Sequence, residues 1–167
     1  MKIRKAELSD AKGIAKVHVD SWRTTYANII PDEYLDQLSY ERREQLWLSQ
    51  IPQSQVFVAV NDKNEVIGFS SGGRERSGKY EGYDGELSSI YILKEYQGLG
   101  IGRLLIEPVV NELTKLGINS MIVLVLEDNK STLFYEAIGG KVIDTVEVEI
   151  AGKKLNELVY GWNHLNE

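Results

Sequence analysis

Apolar and polar side chains alternate along this chain in stretches of two kinds, one with a period of two and one with a helical period. Residues 2–6 predict a short opening strand. Ser9 or Asp10 then stands where a helix N-cap belongs, ahead of Ile14, Val17, His18 and Trp22 at helical spacing. A second helical region over about 31–49 is apolar at Tyr34, Leu35, Leu38, Leu46 and Trp47. Pro31 suits its first turn, where a missing N–H does no harm, and Pro52 ends it. Two β-rich runs, 56–60 and 66–71, flank Asn61-Asp62-Lys63-Asn64, a hairpin signal. The polar, glycine-bearing stretch 72–85 predicts a mobile loop. Beyond it the pattern gives a strand over 86–93, a helix over about 100–116 stopped by Gly117, and an apolar strand over 121–126. A short helix over 129–137 follows, then strands over 141–150 and 154–162 joined by an Ala151-Gly152 turn.

Composition narrows the function classes. At 167 residues, with no repeat, low-complexity tract or linker, the chain is expected to form one domain spanning 1–167. A hydrophobic share of 43% beside 26% charged residues is ordinary for a soluble globular protein. No apolar run has membrane-spanning length and no leader pattern opens the chain, so a cytoplasmic protein with no membrane partner is expected. The lack of cysteine excludes disulfides, thiolate chemistry and cysteine-ligated metals. His18 and His164 are far apart in sequence, and no metal site is expected. The formal charge of −6 argues against non-specific nucleic-acid binding and suits a cationic substrate.

The most informative segment is Tyr96-Gln97-Gly98-Leu99-Gly100-Ile101-Gly102-Arg103, which joins a strand to a helix. Glycines at alternate positions allow a tight turn and leave amide N–H groups uncovered. The helix that follows aims free N–H groups and the positive end of its dipole at the same spot, which makes an anion site suited to phosphate. A P-loop is excluded, because Gly102 is followed by Arg103 and Leu104 rather than Lys and Ser or Thr. A dinucleotide fingerprint is excluded by Arg103 and by the mid-chain location. What remains is Gln-x-x-Gly-x-Gly at Gln97, Gly100 and Gly102. A glycine-rich turn with no ligand is the alternative.

In this motif, and in the order strand, two helices, three strands, helix, strand, helix, two strands, the sequence resembles the GNAT superfamily of N-acetyltransferases. The resemblance implies an α/β (α+β) fold with a mixed, mostly antiparallel sheet of about seven strands flanked by about four helices. It also implies acetyl-CoA as co-substrate and a primary amine, on a small molecule or a peptide, as acceptor. Gln97, Gly98, Leu99, Gly100, Ile101, Gly102 and Arg103 would hold the pyrophosphate. A bulge near Ile90, Tyr91 and Ile92 would open a slot for pantetheine, assisted by Asn129. Dimerisation is common in the superfamily.

Acetyl transfer needs a free amine. A lysine-like ammonium gives up its proton at pH 7 at a cost of about 4–5 kcal/mol, so a nearby carboxylate helps. The resemblance points to Glu86 as base and to Tyr135, within Asn-x-x-x-x-Phe-Tyr-x-x-x-Gly-Gly at 129–140, as the acid that protonates the leaving thiolate. A solvated acid at a strand end and a core aromatic are the competing readings of these two. His18, Trp22 and Tyr26 recur every four residues, so they share a helix face as acceptor candidates or as core packing. Pro108 falls inside the helix after the glycine loop, where a kink or a late helix start is expected. A non-catalytic acyl-CoA-binding sensor is the rival function.

Overall fold

In the computed structural model, which describes residues 1–165, seven strands make one sheet. They are β1 (Lys2–Lys5), β2 (Gln55–Val60), β3 (Val66–Arg74), β4 (Gly85–Ile92), β5 (Met121–Leu126), β6 (Lys141–Ile150) and β7 (Lys153–Trp162), ordered β1-β2-β3-β4-β5-β7-β6. Only β4 and β5 run parallel; every other pair is antiparallel. The helices are α1 (Ala11–Thr25), α2 (Asp32–Asp36), α3 (Tyr40–Gln50), α4 (Ile101–Lys115) and α5 (Ser131–Ala137). The mixed, mostly antiparallel architecture is the one the family resemblance implies. Among the described residues no helix is long and apolar enough to cross a membrane.

Period-two alternation divides the core between the two faces of the sheet. Val56, Val58, Val60 and Phe69 turn toward α1 and α3, where they meet Ile14, Val17 and Trp47. Leu87, Met121, Val123 and Val125 turn the other way, onto Ile106, Val109 and Leu113 of α4 and Tyr135 of α5.

Four local features differ from expectation. The helical region after Pro31 is two helices, because the Ser39 hydroxyl accepts the Arg42 N–H at 3.2 Å and caps a fresh start. Arg23 holds the break by donating to the carbonyls of Leu35 (3.2 Å) and Leu38 (3.1 Å), and Leu46 lies exposed. Asp10 does not cap α1 with its side chain: its carboxylate accepts two bonds from Arg4, at 2.7 and 2.9 Å, and the Glu7 N–H. Strand β3 continues through Gly72 and Gly73 to Arg74 instead of becoming loop at 72. A Cβ on Gly72 would stand 2.6 Å from Val109 Cγ1 and 2.8 Å from the Glu86 carbonyl, so glycine lets α4 approach the strand there. Finally, α4 starts at Ile101 and runs unbroken past Pro108. Near the turn that the proline deprives of a bond, the Leu105 carbonyl accepts the buried Ser70 hydroxyl at 2.7 Å.

Candidate functional site

The parallel pair at the centre of the sheet comes apart. β4 and β5 are in register only at Gly85–Met121 and Glu86–Ile122. On its other side β4 carries one residue too many: Ser89 faces Ser71 but Leu87 faces Gly72, which leaves Ser88 as the extra residue of a bulge. A bulge bends and twists its strand, and here β4 leaves β5 beyond it. Exposure traces the gap. Ser88 is exposed, and Leu124 is 40% exposed although it stands mid-strand in the sheet. Ile90, Tyr91 and Ile92 pair with β3 alone, so the β4 edge that faces β5 is open to another hydrogen-bonding partner.

The glycine loop stands at the wide end of this wedge. Gly98 (φ +78°) and Gly100 (φ +82°) occupy left-handed conformations that a side chain disfavours. Gly100 is the N-cap of α4 and brings no side-chain acceptor, and the first turn holds no acidic residue. The leading N–H groups and the helix dipole therefore remain available to an anion. Arg103 is exposed, with no ion-pair partner among the described residues. Ile101 anchors the loop in a cluster with Ala59, Ile67 and Leu105, while Leu99 is exposed. Gly102 lies against the Phe134 ring. Gln97 braces the loop end of β4 by donating from Nε2 to the Ile92 carbonyl at 2.9 Å.

The other expected residues lie along the wedge, on both sides of the sheet. Tyr135 belongs to the α4 side, its ring packed on Tyr160 and Trp162. Burial, then the neighbouring Tyr26, drive its phenol well above the ordinary value, so it holds its proton at neutral pH. Tyr26 ends α1 with its hydroxyl accepting from Asn129 Nδ2 at 3.3 Å. Its phenol is raised by burial against the opposing pull of Tyr91 and Asn129. Asn129 is itself buried, and its Oδ1 accepts the Ser131 N–H at 2.8 Å ahead of α5. Tyr91 is raised far above its ordinary value by burial and by Tyr26. Trp22 lies on Tyr26 with ring centres 4.7 Å apart, and its buried indole N–H, which bears on the Tyr91 phenol, makes no full hydrogen bond among the described residues.

His18 is buried, as Tyr26 is, while Trp22 is half-buried. The imidazole stacks on Tyr91 at 5.5 Å, and its Nδ1 accepts the Trp47 indole N–H at 3.1 Å. Its proton therefore belongs on Nε2, and burial, aided by Arg43, lowers its pKa to about 4. Glu86, only 5% exposed, faces away from the α4 cluster that holds Leu87. Its carboxylate accepts from Arg76 Nη2 at 2.8 Å, and the Arg76 N–H and Nε lie at 3.3 and 3.4 Å. The Arg76 side chain is 73% exposed, so this pair can open to solvent. Glu86 and Tyr135 thus approach the wedge from opposite faces.

Several residues here carried no motif. Arg76 lies in the loop between β3 and β4, as do Tyr80, which donates to Asp144 at 3.0 Å, and Tyr83, whose ring lies against Gly161. Nothing in their order distinguishes them from solvated loop residues. Glu157 did leave a signal, as an acid between Leu155 and Val159 where period two predicts an apolar side chain.

Comparison with known proteins agrees with this geometry. The sequence model of the acetyltransferase (GNAT) family matches residues 17–139. The chain is 47% identical over 164 residues to the uncharacterized N-acetyltransferase YuaI of Bacillus subtilis (strain 168), covering 98% of this chain and 94% of that protein. It is 31% identical over 122 residues to the peptidyl-lysine N-acetyltransferase YjaB of Escherichia coli (strain K12), covering 71% and 73%. The fold superposes on the PaiA N-acetyltransferase from Thermoplasma acidophilum in complex with coenzyme A with a TM-score of 0.77, over 96% of each chain at 24% identity.

Proposed function

Because this chain belongs to the acetyltransferase (GNAT) family, we propose that it transfers the acetyl group of acetyl-CoA to a primary amine by direct attack in a ternary complex. The observation that carries this reading is the wedge between β4 and β5, opening beside the uncapped N-terminus of α4. In this reading the N–H groups of 98–103 and Arg103 hold the pyrophosphate. The open edge at Ile90, Tyr91 and Ile92 pairs with the pantetheine amides, and one of its N–H groups polarises the thioester carbonyl. Asn129 lines the same channel. Trp22 and Tyr26, backed by His18, wall the acceptor side. The relative named as a peptidyl-lysine acetyltransferase supports a primary-amine acceptor, borne by a small molecule or a peptide. The missing cysteine leaves no thiol to relay the acetyl group, which supports direct transfer.

The atoms balance as follows. The amine nitrogen forms a bond to the thioester carbonyl carbon, and the carbon–sulfur bond breaks. Glu86, released by Arg76, takes through water each proton the nitrogen loses, first passing to solvent the one that frees the amine, and Tyr135 gives its own to the departing sulfur. Solvent returns a proton from Glu86 to Tyr135 and restores both groups.

Two variants test the halves of this reading. Gly100→Val forces a β-branched residue into a left-handed conformation at a cost of about 1–2 kcal/mol or more. Calorimetric titration should find acetyl-CoA bound at least about tenfold more weakly. Unaltered affinity would remove the loop from donor binding. Glu86→Gln should lower kcat/KM about a hundredfold at pH 7, with part of the loss relieved as rising pH frees the amine unaided. A mutant-to-wild-type ratio that stays flat across pH would count against Glu86 as the base.

A further inference from the structure

Among the strands from β4 to β6, three carboxylates lie on the α1 side of the sheet. Leu155 of β7 packs in one cluster with Tyr26, Ile30 and Leu35, so Glu157, two residues on, shares its face. Asp144 pairs with Val159 and so lies on that face too, and Glu86 pairs with Ile122, whose face Leu124 and Leu126 continue. Two of the three already have donors. Glu86 accepts from Arg76 at 2.8 Å, and Asp144 accepts the Tyr80 hydroxyl at 3.0 Å. Glu157 is half-buried, yet its carboxylate has neither a hydrogen bond nor an ion pair among the described residues. Burying an anion without a partner is unfavourable, and burial alone pushes this carboxyl above the usual carboxylate range. Among the described residues the groups facing it bring no cation: Tyr26 from α1, Tyr80 from the loop before β4, and Asp144 diagonally across on β6.

Sheet geometry sets the reach. Leu124, which floors the open side of the wedge, pairs with Val159, so Glu157 is two residues along and one strand over, roughly 8 Å between Cα atoms. A glutamate side chain and an ammonium group span that gap. By the same count Glu86 and Glu157 are roughly 16 Å apart between Cα atoms, too far to hold one ammonium together, so an amine docked at Glu157 gives its proton to Glu86 through water. Resting on the acetyl-transfer reading, we propose that Glu157 is the carboxylate that docks the protonated amine of the acceptor, with the Tyr26 and Tyr80 phenols near it. The exposed apolar surface of Leu124 beside it suits an alkyl arm, so the acceptor class is an alkylammonium of the kind that ends a lysine side chain.

The test uses the CoA-loaded protein with n-butylammonium as probe. Carboxyl-carbon NMR should find the Glu157 resonance moving saturably as the probe is added. In thiol-release assays with n-butylamine as acceptor, Glu157→Gln should raise the acceptor KM at least tenfold while acetyl-CoA affinity stays at the wild-type value. A Glu157 resonance that does not move, or an acceptor KM within twofold of wild type, overturns the assignment even if transfer is robust. If wild-type protein acetylates no amine but Glu157 still binds the probe saturably, the transfer reading fails and the docking site stands.

Discussion

Tyr135→Phe is expected to lower kcat by about a hundredfold or more at saturating acetyl-CoA, the usual scale for losing a positioned proton donor. The fold should survive, because the ring is the part that packs: it contacts Tyr160 and Trp162 within the core, and phenylalanine keeps those contacts. Acetyl-CoA affinity should change little for the same reason. The hydroxyl is the informative atom. Burial and Tyr26 raise its pKa, so it stays protonated across the working pH range and is ready to meet a thiolate as that thiolate forms. A raised pKa makes it a weak acid in the resting state. It becomes an effective donor only when charge develops on sulfur, which is when a donor is needed. Steady-state turnover with saturating donor checks this directly, and an unchanged kcat would leave Tyr135 as a core aromatic and nothing more.

Acid should unfold the protein in a way that His18 controls. The imidazole is buried, its Nδ1 already accepts from Trp47, and its folded-state pKa is about 4 against 6.5 for the free side chain. A depressed histidine pKa means that the unfolded chain binds the proton more tightly than the folded one. Stability is therefore full above pH 6.5 and falls as pH drops through the window from 6.5 to 4. Over that window the loss should approach about 3 kcal/mol, a large part of an ordinary domain's stability. Urea melts at pH steps between 7 and 4 measure it. His18→Gln keeps an acceptor for the Trp47 N–H and removes the titrating group, so its stability should follow a shallower slope. Equal slopes would mean that other groups, such as the Arg4–Asp10 pair, carry the acid response.

The legible parts of this chain were those fixed by local chemistry. Strand and helix periods located the sheet and the α4 helix, and three glycines between them marked the loop where α4 starts without a side-chain cap. Features set by long-range packing were not legible. Gly72 and Gly73 read as loop, yet Gly72 is a strand residue because Val109, far along the chain, presses on it. The bulge at Ser88 has no compositional mark, since serine suits a bulge no better than a regular strand. Ser39 broke a stretch whose apolar spacing continued on both sides of it. The Arg76–Glu86 pair joins a loop to a strand, and no spacing rule predicts such a partner. Glu157 differs from these, because a charge at an apolar position of a period-two strand is visible in the sequence itself.

Amine acetylation is tested most directly by thiol release from acetyl-CoA by the wild-type protein. The panel is polyamines, aminoglycosides, amino acids, and peptides that bear a lysine or a free N-terminus. Release should depend on one class of primary amine, with the acetylated amine recovered as product and the rate suppressed by Tyr135→Phe. Acetyl-CoA bound at the glycine loop with no amine-dependent release from any member of the panel would contradict it, and would make the protein an acyl-CoA-binding sensor.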